Sequence, residues 1–200
     1  HGTVSFIKVD SLSGRLSIAF QLMLPPIDFD LSHAGKGASH DWFFFSCYNT
    51  EQAHSLLEVN ASQRDKDFIM AVNWKKAAEY AKQGKGIIKK VVYAHNVYDD
   101  KTHTATSTIE KEVLVMDPKE LKDVVYFIPC PKSPHGCDVD PSGEYIVGSG
   151  KLAALIPVFS FSKIQKAIAD KNYEGDYEGL PVIKYEAALY GEVKKPGLGP

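Results

Sequence analysis

One histidine, His135, stands between a proline and a glycine in Pro134-His135-Gly136, just ahead of an Asp140-Pro141-Ser142-Gly143 turn. Neutral imidazole is a common metal ligand and also the side chain whose charge changes nearest neutral pH. Pro134 fixes the incoming backbone, and Gly136 is expected to admit a conformation or a close approach that a side chain would block. An imidazole held in this way is a candidate metal ligand or general acid/base, against the ordinary surface or structural role of a lone histidine.

Other chemistry-bearing residues point to packing. Cys47, Cys130 and Cys137 are odd in number and contain no CxxC pair of the kind that binds zinc or cycles thiols. Two of them could bridge in an oxidising compartment, and buried free thiols fit equally. Lys36 and Lys151 lie near turns but outside any phosphate-binding loop, so they read as solvated lysines. The run Trp42-Phe43-Phe44-Phe45 lacks a surrounding basic patch and reads as core, not as a platform for bases. His33 and His40, flanking Ala34-Gly35-Lys36-Gly37, are expected in a surface or lid loop. His1, His54, His95 and His103 match no ligand pattern.

These residues must be positioned by a chain of 200 residues that is 44% hydrophobic and 24% charged, enough for a normal core. The net charge of -2 gives no basic field for nucleic acid. No apolar run approaches the roughly eighteen residues of a membrane span. The sequence opens on His1 and stops at Gly197-Leu198-Gly199-Pro200, and it is expected to be an internal piece of a longer protein, so the missing signal peptide says nothing about location.

Alternation with β-branched and aromatic enrichment predicts strands over residues 4–9, 15–22, 42–47, 68–73, 87–93, 112–116, 124–129, 145–147 and 155–161. Helices are expected over 74–83 and 162–170, with a short turn over 118–122 after Asp117. Residues 99–108, polar and rich in threonine, read as a surface loop. Many short strands with frequent turns point to an all-β sandwich, barrel or propeller.

Residues 68–81 and 155–168 share one plan: an apolar strand, an aromatic residue, then a short amphipathic helix. Each is preceded by a further strand. Repeated units of this kind are what propeller blades leave in a sequence. In a propeller, the loop entering the innermost strand of a blade aims side chains at the central axis, and His135 is expected on such a loop.

Pro134-His135-Gly136 with its following turn, Ser149-Gly150-Lys151-Leu152, and Ser46-Cys47-Tyr48-Asn49-Thr50-Glu51 together resemble the nitrous oxide reductases. The likeness extends through 67–73 and the closing Gly-Leu-Gly-Pro, covering most of the chain beyond about Ile27, and its details are closer to the atypical, clade II-like enzymes. The resemblance implies a partial seven-bladed β-propeller over 1–200, with N-terminal blades, final blades and a C-terminal cupredoxin domain lying outside it. It implies a tetranuclear copper-sulfide cluster at the hub, with His135 as one ligand. The dinuclear copper site of electron entry belongs to the cupredoxin domain.

The same resemblance implies calcium bound in part by Tyr48, Glu51 and Asp67, with Asp65 an alternative to Asp67; oxygen donors of this mix suit a hard cation. Ser133 and Val59 stand where the family has asparagine and methionine. Implied with the family are two-electron reduction of nitrous oxide to dinitrogen and water, a head-to-tail homodimer, a periplasmic electron donor and a periplasmic location. The segment by itself is expected to be inactive, since one ligand cannot hold four coppers. The competing expectations are a non-catalytic propeller scaffold and a propeller hydrolase or quinone-dependent dehydrogenase.

Overall fold

The computed structural model describes residues 2–48, 66–99, 101 and 104–197. Among the described residues, fourteen strands form three sheets, accompanied by three short α-helices. The strands are β1 (Thr3–Val9), β2 (Leu16–Met23), β3 (Asp28–Ala34), β4 (Trp42–Tyr48), β5 (Lys66–Asn73), β6 (Ile87–Asp99) and β7 (Thr104–Met116). They continue with β8 (Val125–Pro131), β9 (Pro134–Val139), β10 (Tyr145–Gly150), β11 (Leu155–Ser160), β12 (Tyr173–Tyr177), β13 (Leu180–Ile183) and β14 (Leu189–Lys194). The helices are α1 (Trp74–Lys82), α2 (Phe161–Ala169) and α3 (Tyr185–Ala188).

Two units repeat one topology. In the first, β3, β4 and β5 meander antiparallel, α1 follows β5 directly, the β6–β7 hairpin comes next, and β8 returns to pair with β5. In the second, β9, β10 and β11 meander, α2 follows β11, the β12–β13 hairpin comes next, and β14 returns to pair with β11. The fold is all-β, a partial propeller in which β3–β4–β5–β8 and β9–β10–β11–β14 are successive four-stranded blades, each with its sequence-first strand at one edge. The likeness between residues 68–81 and 155–168 is the third strand and helix of each blade.

Each hairpin leaves its own blade. The end of β13 pairs in parallel with β8 of the preceding blade, Val182 opposite Phe127. The end of β7 pairs in parallel with β2, with Gln21 and Leu22 opposite Val115 and Met116.

The core follows from period-two alternation on β5, which lies between β4 and β8. Phe68, Met70 and Val72 join one buried cluster with Phe20, Leu22 and Phe127. Ile69 and Ala71 face the other cluster, shared with Cys137, Ile146, Phe159 and Ile164 of the second blade. Burying side chains such as Phe159 and Ile146 contributes about 1.5–3 kcal/mol each, which is what holds blade to blade. Trp42 and Phe44 sit in that interblade cluster, as core packing requires.

Asp117 caps its short turn as the sequence suggests, Oδ1 accepting from Lys119 N–H at 2.9 Å. The two longer helices have caps the sequence reading did not name, Asn73 Oδ1 accepting from Lys76 N–H at 2.9 Å and Ser160 Oγ from Lys163 N–H at 3.2 Å. Two expectations change. Asp99 and residues 104–108 belong to strands and not to a surface loop, because β6 runs to Asp99 and β7 starts at Thr104. Threonine's β-branching favours a strand there despite its polarity. Strands β3, β9, β12, β13 and β14 were absent from the sequence expectation, and two of these carry the candidate site.

Candidate metal centre

His135 lies within β9 itself, not on a loop entering it. Opposite it, Ser149 pairs with Gly136 and Gly150 pairs with Pro134, so His135 is the extra residue of a β-bulge. A bulge re-aims one side chain out of the regular alternation, and it explains an imidazole at this point of an inner strand. Gly136 is not required in the way the sequence suggests. It lies outside the left-handed region, and a β-carbon there would meet only Leu31 Cδ1 at 3.6 Å, an ordinary contact.

The residue under conformational constraint is Ser133. Its φ is 57°, in the left-handed region, and it is buried. Ser133 N–H donates to Asp67 Oδ2 at 2.8 Å, and its carbonyl accepts from Lys151 N–H at 2.7 Å. Asp67, near the start of β5 and fully buried, thus pins the crossover from the outer strand of one blade to the inner strand of the next. That crossover delivers His135.

β3 is built the same way. Phe29 pairs with Cys47 and Ser32 with Phe45, leaving Asp30 and Leu31 opposite Ser46 alone. The buried Ser46 hydroxyl fills the gap in the ladder, accepting from Leu31 N–H at 3.1 Å and lying 3.4 Å from the Leu31 carbonyl. This gives Ser46 of the Ser-Cys-Tyr-Asn motif a structural duty.

The bulged strands β3 and β9 lie side by side at the inner edges of their blades. Cys137 Sγ donates to the Phe44 carbonyl at 3.4 Å, and Lys36 Nζ donates to the Val139 carbonyl at 3.2 Å. Two histidine–carboxylate pairs cross the junction in opposite senses. His135 Nε2 lies 3.7 Å from Asp30 Oδ2, an ion-pair separation, with the imidazole 44% exposed. His33 Nδ1 lies 3.0 Å from Asp138 Oδ1 and 3.3 Å from Val139 N–H. The expectation of a surface or lid loop fails for His33, which is a strand residue tying two blades together. His40 is exposed, beside Asp41.

Asp30 is the carboxylate near the His135 ring, 3.7 Å from Nε2 and so longer than a direct hydrogen bond. Asp30 and Asp138 were not singled out from sequence, and His33 only as a surface or lid residue, although the alternation Asp28-Phe29-Asp30-Leu31-Ser32 is the signal for β3.

Of the calcium trio, only the Asp67 side chain lies among the described residues. Asp67 is on β5 and Tyr48 ends β4, but the Tyr48 side chain, Glu51, Asp65 and Val59 lie outside the described residues, as do His1, His54, His103 and the His95 side chain. Among the described residues, no three His, Cys, Asp or Glu side chains converge as a metal site. All three cysteines are free and buried. Burial pushes the thiols of Cys47 and Cys130 well up and that of Cys137 up to about 12, so they are protonated and inert near neutral pH. Among the described residues no helix is long and apolar enough to cross a membrane.

No family model matches the sequence. Among curated proteins, the nitrous-oxide reductase of Stutzerimonas stutzeri is 26% identical over 78% of this chain. This chain resembles nitrous-oxide reductase. The enzyme of that name from Pseudomonas fluorescens is 22% identical over the same share. The chain spans about a fifth of the length of both relatives, 21% in each case. The likeness is distant and covers part of the relatives.

Proposed function

We propose that this chain is a two-blade portion of a copper-dependent nitrous oxide reductase, an oxidoreductase whose seven-bladed propeller converts nitrous oxide, two electrons and two protons to dinitrogen and water. His135 is one imidazole ligand of the tetranuclear copper-sulfide cluster, which supplies the electrons and the binding site for nitrous oxide when present. The observation that supports this reading is the bulge on the inner strand β9, which sets the imidazole beside the Asp30 carboxylate while leaving it 44% exposed. A residue meant only for packing would be enclosed, and one meant only for solvent would not need two bulged strands to face a carboxylate.

On this reading each residue has a stated task. His135 offers one nitrogen to copper. Asp30 orients the ring and favours its ligating form through the other nitrogen. Asp67 and Ser133 hold the crossover that fixes where β9 begins. Calcium would be held by Tyr48, Glu51 and Asp67; the fully buried carboxylate of Asp67 is an oxygen donor of the kind a hard cation takes. The complete protein is a periplasmic head-to-tail homodimer that receives electrons from a periplasmic donor at a cupredoxin dinuclear copper site.

A non-catalytic propeller scaffold is the competing reading. The observation in its favour is that no metal cluster of three side chains forms among the described residues. The experiment that separates them is copper analysis of the protein from the complete gene, with and without His135→Ala, alongside nitrous oxide consumption. Loss of cluster copper and of activity in a folded variant supports the reductase. Unchanged copper, or no copper in the parent protein, supports the scaffold.

A further inference from the structure

We infer that β14 is a docking edge for the hairpin of the next blade in the full-length protein, whose second strand pairs with it in parallel close to Glu192. The inference rests on the propeller reading above and adds how its blades are fastened.

The pairing occurs twice already, each time in the same way. The strand that immediately precedes a blade receives, in parallel, residues near the end of that blade's hairpin: Val115 and Met116 of β7 on β2, and Val182 of β13 on β8. The hairpins differ greatly in length, 13 residues in each strand of β6–β7 against five and four in β12–β13. Only their ends are used alike. The strand residues at both junctions are apolar apart from Gln21, and all are buried: Leu22 and Phe127 at 0%, Met116 at 0%, Val182 at 5%.

β14 occupies the corresponding place in the second blade, and its position can be matched residue by residue. Phe127 pairs with Met70, four residues before α1 starts at Trp74. Pro157 is four residues before α2 starts at Phe161, and it pairs with Glu192. The equivalent of the clasped Phe127 is therefore Glu192. Glu192 Oε1 accepts from Tyr185 O–H at 2.6 Å and Tyr190 lies edge-on to Tyr145, yet Tyr190 is still 61% and Val193 56% exposed. An exposed outer strand carrying large apolar side chains is an aggregation hazard that folded proteins cover. The curated relatives are nearly four times as long as this chain, 158 and 157 matched residues being 21% of each, which leaves room for the blade that would cover it.

The test uses the protein of the complete gene. Amide hydrogen exchange is followed for the peptides of β8 and β14, and p-benzoylphenylalanine is placed at Val193 for photo-cross-linking. The expected result is β14 protection comparable with that of β8, independent of protein concentration, and a cross-link within one chain to a segment beyond Pro200. Fast exchange in β14 with β8 still protected overturns the docking and leaves the propeller reading intact. Protection that grows with concentration, with cross-links between chains, assigns the edge to a second copy and also overturns it. Fast exchange in both strands removes the clasp and the propeller reading together.

Discussion

Asp30 and His135 face one another across the junction of two blades, Oδ2 3.7 Å from Nε2, and each stands at an irregular point of its strand. Neither regular pairing nor regular alternation would have brought them together. With the imidazole 44% and the carboxylate 28% exposed, their mutual attraction contributes less than about 1 kcal/mol to folding. Asp30→Asn is therefore expected to leave the urea midpoint of the full-length protein almost unmoved. On the reductase reading proposed above, copper retention should suffer much more, with affinity reduced by about 10–100-fold, the usual effect of removing a ligand's supporting partner. Chelator competition and urea titration on the same samples check both halves. A large loss of stability with copper unchanged would make Asp30 a structural residue only.

Ser133 supplies a second prediction. Its φ of 57° costs an ordinary side chain, and more so a β-branched one. Ser133→Gly is expected to be neutral or slightly stabilising, because the amide that donates to Asp67 survives. Ser133→Val should destabilise by about 1–3 kcal/mol, the range for a residue forced into a sparsely populated conformation. Chemical denaturation of the three proteins orders them. Equal midpoints would show that the crossover adopts another conformation.

Much of the architecture was legible before the structure. The apolar strands β4, β5, β8 and β11 announce themselves through continuous aromatic and β-branched residues, because both of their faces are buried. The strand-then-helix repeat exposed the blade plan. Strands β3 and β9 were not legible because they lie at blade edges: Asp30, His33, His135 and Asp138 are polar residues of a half-exposed junction, and each strand is broken by a bulge that defeats period-two counting. Pro134-His135-Gly136 looked like a loop for the same reason. The residue type was informative, whereas its partner, 105 positions earlier in the sequence at Asp30, could come only from topology.

Gly143 marks where the turns of the two blades interlock. A β-carbon built there would lie 1.7 Å from the Lys36 carbonyl oxygen, and its φ of 74° already favours glycine. Ala38 N–H donates to the Ser142 carbonyl at 2.9 Å in the same contact. Gly143→Ala must push backbone against backbone, and destabilisation by at least about 1–3 kcal/mol is expected. Gly191→Ala, with nothing within 4 Å of the added carbon, is the matched control and should change stability by less than about 0.5 kcal/mol. Similar thermal midpoints for the two variants would show that the turns separate in solution.

The three buried thiols give a pH-dependent test. Desolvation is the leading cause of the raised value at Cys137, about 12 against an ordinary 9.0, with the neighbouring Asp138 carboxylate adding to it. The folded state therefore holds the proton more tightly than the unfolded chain does. The stabilisation linked to that proton is fully present below about pH 9 and is lost as pH rises toward 12. At pH 8 the native protein should react negligibly with a thiol reagent such as DTNB, and addition of urea should release all three thiols. Between pH 9 and 11 stability should fall, and Cys137→Ala should flatten part of that fall because the ionising group is gone. Rapid labelling of a native thiol at pH 8 would mean that the packing of β9 against β4 opens far more readily than the closed junction around His135 allows.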